Sequence, residues 1–509
     1  MIMAAMRFIS QYWYNASDFK ILPVGLKAIN RGVFRYRITM KRIHLSLFLI
    51  ILTIFAALTS CIEDGFSSSS ADQPTFSVDT LQMGVIFTEQ PSTTHRFTVY
   101  NNAGKAISIN HVSLSGDNAE FFRLNVDGLS GREFNNVEIR ANDSIFVFVE
   151  TTLPANDLTV PVEVTASLDF LTNGVTRSVT IAAIGRDVNR IESLVLDSDT
   201  RFVAGKPYQI IDSLVVSPGA TLTIDPGAEL LFHDGAMMVV RGTLKAVGEP
   251  GNEITFAGDR TGYVAADISF DIMSRQWVGM FFTNTSYDNE LSYAHVCNTW
   301  QGVTVDGGFS SRPVELKMIN TRLRNSGDMA LEVYHANIKA YGCEIAEAAN
   351  GAVYLHGGEH VFNHCTLSNY YLFTALGGAI LQFGHINAES DDESGLPYTK
   401  AEITNTIIYG LGADLSHGDL TDTDIYLRRC LLKSAGTDDD NFIDCLWDTD
   451  PGFLTIREEY YFDYRLHDDS PAIGAADPSL TATEASFDRY GLSRGDAPDL
   501  GAYVHVPEE

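Results

Sequence analysis

Asp306, Glu332 and His356 are the residues of this chain whose types and spacing could move a proton. Clustered carboxylates with a histidine partner are what glycoside hydrolysis requires. A uronate lyase needs instead a base for the proton α to a carboxylate, with a cation or Ca²⁺ to neutralise that carboxylate. The three residues fall in segments that align: Val303-Thr304-Val305-Asp306, Leu331-Glu332-Val333-Tyr334 and Val353-Tyr354-Leu355-His356. In a strand, alternate residues share a face. The aliphatics therefore point one way. Thr304, Glu332 and Tyr354 form one outward column, and Asp306, Tyr334 and His356 form the next. Parallel strands lie about 4.8 Å apart, so stacking would make these side chains direct neighbours. Thr304, Tyr334 and Tyr354 are the candidate ligand contacts, because aromatic faces cover the apolar CH surface of sugars. Tyr370 and Tyr371 are further candidates, whereas Trp277 and Trp300 read as packing residues. An ordinary polar sheet face has the same look, so catalysis stays the weaker reading.

The elements that must hold these columns are legible as repeats. Gly219-Ala220, Gly227-Ala228 and Gly235-Ala236 recur every eight residues, with short apolar strands between them. A turn after every strand, with no helix, describes a chain wound in short sides, and three sides make a coil of about 24 residues. Downstream the triplets Ala294-His295-Val296, Thr321-Arg322-Leu323, Cys343-Glu344-Ile345, Cys365-Thr366-Leu367, Thr406-Ile407-Ile408 and Cys430-Leu431-Leu432 align as small, variable, aliphatic. Their first and third members are expected inside the coil. The widest gap, between Cys365 and Thr406, holds a polar, acidic segment at 387–400 that reads as a projecting loop.

Residues 75–187 lack this spacing. Roughly seven short strands separated by turn signals such as Thr172-Asn173-Gly174 predict a β-sandwich of immunoglobulin-like type, without a cysteine to bridge its sheets. Its expected role is a spacer. Ahead of it, residues 45–57 are apolar, follow Lys41 and Arg42, and lead into Leu58-Thr59-Ser60-Cys61. A basic start, a short apolar stretch and small residues describe a signal peptide. The ending resembles a bacterial lipobox, which implies lipid attachment at Cys61 and residues 40–60 as the leader. Residues 1–39 fit no part of that pattern and read as a misassigned upstream segment. Residues 61–74 read as a tether, and the acidic Glu63-Asp64 resembles the export signal of Bacteroidetes-type surface lipoproteins.

Residues 217–259, with Gln276-Trp277-Val278-Gly279, resemble the right-handed parallel β-helix repeats of the pectin-lyase-like superfold. Ser470-Pro471-Ala472-Ile473 and Asp499-Leu500-Gly501-Ala502-Tyr503 resemble the closing segment of secreted bacterial β-helix proteins. The resemblance covers about 190–509. It implies an all-β chain, a right-handed parallel β-helix (solenoid) over 188–509 preceded by the immunoglobulin-like β-sandwich, with 446–509 as the C-terminal cap and 191–208 as the N-terminal cover. The superfold hosts polysaccharide lyases, glycoside hydrolases and non-catalytic adhesins, so it names no chemistry.

The remaining signals restrict rather than assign. A formal net charge of −30 repels nucleic acid and anionic membranes. No cofactor is implied. Asp391-Asp392-Glu393 and Asp438-Asp439-Asp440 could bind Ca²⁺ but lack EF-hand spacing and read as solvated loops; no metal ligand set with zinc spacing occurs. Cys297, Cys343, Cys365, Cys430 and Cys445 cannot all pair, and buried thiols are expected. The favoured expectation is a protein lipid-anchored to the outer membrane whose coil binds a glycan without catalysis. The alternatives are a polysaccharide lyase or glycoside hydrolase, and a stalk offering loop 387–400 to a protein partner. The oligomeric state is open.

Overall fold

The computed structural model describes residues 65–265, 268–308, 315–387, 395–458 and 460–507. The signal segment, Cys61 and the Asp391-Asp392-Glu393 run lie outside the described residues. A division falls after Ser67, and Ser68–Glu509 is one compact unit.

Its first part is two five-stranded sheets around one core. Phe97, Val99, Val147 and Val149 alternate inward from the antiparallel pair His95–Asn101 and Asp143–Thr151. Strands Thr80–Phe87, Leu129–Gly131 and Glu133–Ile139 add to the seven expected. The first of these hides from an alternation search because Gly84, at φ 71°, accompanies a register shift against Val175–Arg186.

From Asn189 onward the chain coils. Each side hydrogen-bonds in parallel to the same side of the next turn: Thr221–Ile224 to Thr243–Val247, Glu229–Phe232 to Ile254–Gly258, and Met237–Val240 to Gly279–Phe282. Repeated along the chain, this gives one ten-stranded and one seventeen-stranded parallel sheet, the latter carrying two sides of the coil. The pattern is compatible with a β-helix. The triplets stack in the expected register, His295 to Arg322 to Glu344 to Thr366 to Ile407 to Leu431. Their first and third members are buried throughout. The corner before each triplet is turned by one residue with positive φ: Tyr293, Asn320, Gly342, His364, Asn405 and Arg429. Asparagine and glycine reach that conformation at least cost.

Two segments differ from the sequence reading. Residues 191–208 do not form a separate cover: Asn189–Leu196 pairs with Tyr208–Val216 and Thr200–Phe202 with Thr221–Ile224, so they are the first turn of the coil itself. Residues 446–509 do more than cap. The coil's end is closed locally, where Phe442 and Trp447 pack at a tilt, 5.0 Å between centroids. The chain then turns back as a strap along the flank formed by the triplets. The hairpin Phe453–Glu458 and Tyr461–Leu466 starts it. Asn405 exchanges hydrogen bonds with Asp477, Nδ2 to its carbonyl and Oδ1 from its amide, each 2.9 Å. Asn363 does the same with Leu480 and Ala482, at 2.8 and 3.0 Å. Asn320 Nδ2 donates to the Phe487 carbonyl at 3.1 Å, and Arg489 pairs with Glu253 at 3.1 Å. Asn320 and Asn405 thus serve twice, turning the coil and holding the strap, while Asn363 ends the strand before the His364 corner. Gly501 (φ 88°) lies where a Cβ would meet Ile407 Cδ1 at 2.7 Å, so only glycine lets the strap lie this close.

Candidate functional site

Another side of the coil carries the proton-transfer candidates, and among the described residues none of the strap hydrogen bonds named above reaches it. Val303–Asp306, Met329–Tyr334 and Gly351–His356 pair in the register of the alignment: Thr304 beside Glu332 beside Tyr354, and Asp306 beside Tyr334 beside His356. The columns extend to Phe281 on one side and to Gln382 and Gly384 on the other. Asp306 is exposed, while Thr304, Glu332, Tyr334, Tyr354 and His356 are half-buried. Between them stand the fully buried Val305, Val333 and Leu355, which fix the strand from inside.

The aromatic groups touch. Tyr334 meets Tyr354 edge-on at 5.7 Å between centroids, and His356 at 5.7 Å. Tyr354 Oη and His356 Nδ1 are 2.9 Å apart. Glycine makes that contact possible, since a Cβ at Gly384 would lie 2.5 Å from both atoms. His335 and His385, at φ 49° and 48°, turn the corner after this flank. Their rings lie 5.2 and 5.5 Å from that of His356 and 5.5 Å from each other. Tyr398 tilts against His385 at 4.8 Å. Sequence reading missed Gly384, His385 and Tyr398. The available signal was the corner column itself, in which His335, Gly357 and His385 alternate imidazole with glycine; a Cβ on Gly357 would strike His335 Nδ1 at 2.3 Å.

The electrostatics single out Glu332. Burial, then the charge of Asp328, pushes its carboxyl up to about 7. Burial and the Glu332 carboxylate push the Tyr334 phenol up to about 12. Asp306 is spent locally, accepting the Gly308 amide at 2.9 Å.

Two expectations change. Tyr370 and Tyr371 are 5% and 4% exposed, so neither is a platform. Tyr370 stacks on Tyr464 of the strap, and Tyr371 hydrogen-bonds Ser274. Trp277 packs inside against Phe232 at 4.1 Å, but Trp300 is 56% exposed with Arg275 over its ring. The acidic run Asp438-Asp439-Asp440 is built into a turn: Asp438 accepts from the amides of Asp444 and Cys445 and from Trp447 Nε1, and Asp439 from those of Asn441 and Phe442. Those oxygens are engaged by backbone and indole donors. Among the described residues no group of three or more His, Cys, Asp or Glu is placed to hold a metal ion. The thiols from Cys297 to Cys445 are unbridged.

No family model matches the chain, and no curated protein matches it. Solved structures match in part. A family 123 glycoside hydrolase from Clostridium perfringens, studied for glycolipid glycan hydrolysis, is 10% identical over 23% of this chain and 25% of its own, with a TM-score of 0.17. A human ASH/PapD-like domain is 5% identical over 26% of this chain and 95% of its own, TM-score 0.17. A Porphyromonas gingivalis protein of unknown function is 11% identical over 26% of this chain and 58% of its own, TM-score 0.17. The chain therefore spans about a quarter of the hydrolase's length. Likenesses this slight assign neither fold nor chemistry.

Proposed function

We propose that this chain is a lipid-anchored envelope protein, held through Cys61 and displayed at the outer membrane. In this reading an immunoglobulin-like sandwich acts as spacer, and a right-handed β-helix binds a polysaccharide along its bare flank without turning it over. One observation carries the reading: the columns Thr304–Glu332–Tyr354 and Asp306–Tyr334–His356 stay in strict register and at least partly open to solvent. A polymer with a regular repeat can meet the same groups rung after rung, and aromatic faces suit sugar CH surface. Many weak contacts along a rigid ladder sum without a deep pocket.

A second reading is supported by Glu332. A carboxyl that holds its proton near neutral pH is what a general acid requires, and Tyr354 and His356 stand beside it. The two readings separate in one experiment. The purified chain is presented with uronate-containing and neutral polysaccharides, with and without Ca²⁺, and retention, reducing ends and unsaturated product are followed together. Retention without product supports binding. Product that disappears in Glu332→Gln while retention persists makes the chain a hydrolase or lyase. Silence on every readout removes both and leaves a stalk for a protein partner.

A further inference from the structure

The sandwich carries more than a spacer requires. Its sheet of Thr75–Phe76, His95–Asn101, Asp143–Thr151, Phe122–Val126 and Leu129–Gly131 turns one face to the core. The other face follows row by row from the antiparallel register, because directly opposed residues share a face. One row runs Arg96, Phe148, Asn125, Ser130. In the neighbouring rows Glu150 stands beside Arg123, and Thr98 beside Phe146. Phe146 and Phe148 thus form a ridge, 6.2 Å between centroids, with Arg96 to one side and Arg123 to the other. Phe146 is 45% exposed. Phe148 is half-buried, and Arg96, Arg123 and Arg132 are exposed. Beside Phe148 opens a trough of about 720 Å³ whose walls include Thr94, Arg123, Asn125, Arg132 and Glu150. Arg186 and Gln90, through which the sandwich reaches the coil, lie outside this face.

Each guanidinium is held in place without being neutralised. Arg96 lies over the Phe146 ring at 5.2 Å. Arg123 Nη2 donates to Thr152 Oγ1 at 3.1 Å, and Arg132 Nη2 to the Glu120 carbonyl. Among the described residues no carboxylate forms an ion pair with any of the three. Glu150 is the carboxylate within these rows, and it accepts the Thr94 hydroxyl. In a chain of net charge −30, three arginines around two phenylalanines are a local reversal of charge. Arginine and aromatic side chains are also what protein interfaces concentrate at their centres. Such a face has apolar area to bury and positive charge to match, and a segment with carboxylates beside apolar side chains supplies both. The spacing suits an extended chain. Outward residues along Asp143–Thr151 repeat every second residue, about 6.8 Å, and so do the side chains on one face of any extended segment. An anionic bilayer fits less well, since it cannot enter a trough and is repelled by the rest of the chain.

We propose that this face docks an extended acidic segment of a partner protein, its apolar side chains against Phe146 and Phe148 and its carboxylates on Arg96, Arg123 and Arg132. The surface is separate from the Tyr354 flank and does not rest on the function proposed there.

The test is fluorescence polarisation of the full chain with a short labelled peptide in which glutamates alternate with leucines, beside the same peptide carrying lysine for glutamate. The acidic peptide is expected to bind at least about tenfold more tightly than its lysine counterpart, the worth of one hydrogen bond between charged groups, and added salt should weaken it. Arg96→Glu and Arg123→Glu should each lose about tenfold or more, with thermal unfolding measured alongside; either variant suffices if the other fails to fold. Phe148→Ser should also lose about tenfold, the weight of an aromatic anchor, which attraction by charge alone would not require. Arg177→Glu, exposed on the other sheet of the sandwich, should leave binding unchanged, as should Tyr354→Ala. No binding of the acidic peptide, equal binding of the two peptides, an equal loss in Arg177→Glu, or unaltered binding in the folded arginine variants overturns the proposal. So does tighter binding to phosphatidylglycerol vesicles than to the peptide, which would assign the face to a bilayer.

Discussion

The two flanks of the coil are built alike and end differently. On each, a column of outward side chains repeats at rung spacing over a buried aliphatic column. On the Tyr354 flank the outward residues stay half-exposed. On the triplet flank Glu344, Thr366, Ile407 and Leu431 point outward from the coil yet are 1%, 1%, 1% and 0% exposed, because the strap lies on them. Ile407 and Leu431 pack with Leu466, Ala472 and Leu500. Glu344 is held by Arg324 and the Tyr503 hydroxyl, and Glu347 by the Tyr464 hydroxyl. An outward-facing column is thus no proof of a surface. Polar members tolerate either fate, since a carboxylate can be satisfied by water or by a buried arginine and tyrosine.

The largest break in this contrast should come from uncovering the triplet flank. Tyr464→Ala removes a ring that is 1% exposed and should cost about 3–5 kcal/mol, as buried aromatics do. Deleting 450–509 should leave a chain that aggregates through Ile407 and Leu431, seen by light scattering. A deletion that stays monomeric with unchanged unfolding would show the strap to be dispensable.

A smaller effect distinguishes the flanks by pH. Burial pushes the Glu347 carboxyl up to about 7, whereas an unfolded glutamate titrates near ~4.3. Between those values the folded chain keeps a proton that the unfolded chain has lost. Stability from this group is complete below about pH 4, falls as pH rises toward 7, and is level above. Glu347→Gln should remove that slope, on the order of 3–4 kcal/mol between pH 4 and 8, measured by urea unfolding at several pH values. Glu332 contributes in the same direction but less, being half-exposed. An unchanged slope in Glu347→Gln would place the titration elsewhere.

Gly384→Ala sharpens the bare flank. Its Cβ would press on Tyr354 Oη and His356 Nδ1 at 2.5 Å, and overpacking of this kind costs about 1–3 kcal/mol. The Tyr354–His356 hydrogen bond should break, visible as a shift of the His356 ring resonances. Smallest in stability is Tyr354→Ala, expected within about 1 kcal/mol because the ring is half-exposed. Polysaccharide retention should nevertheless fall about tenfold, the weight of an aromatic contact. Full retention in that variant would move ligand binding off this flank.

Much of the site was legible because period-2 alternation and rung-to-rung register are local rules. The three aligned segments predicted which residues become neighbours, and Thr304, Glu332 and Tyr354 are neighbours. What escaped depended on space rather than pattern. Nothing local marks Gly384 as the clearance for a tyrosine–histidine contact. His385 sits on a corner that alternation does not describe. Tyr370 and Tyr371 follow a strand like any exposed pair, and only the strap and Ser274 bury them.

The sequence by itself determined the coil. Side length, the small and aliphatic interior columns and the corner residues all act within one turn or between adjacent turns, where parallel hydrogen bonding forces like onto like. The tertiary structure alone decided which flank stays open. That choice is made by residues 450–503 returning across many turns to meet Glu344, Asn405 and Glu253, and such long-range packing leaves no periodic trace in either partner.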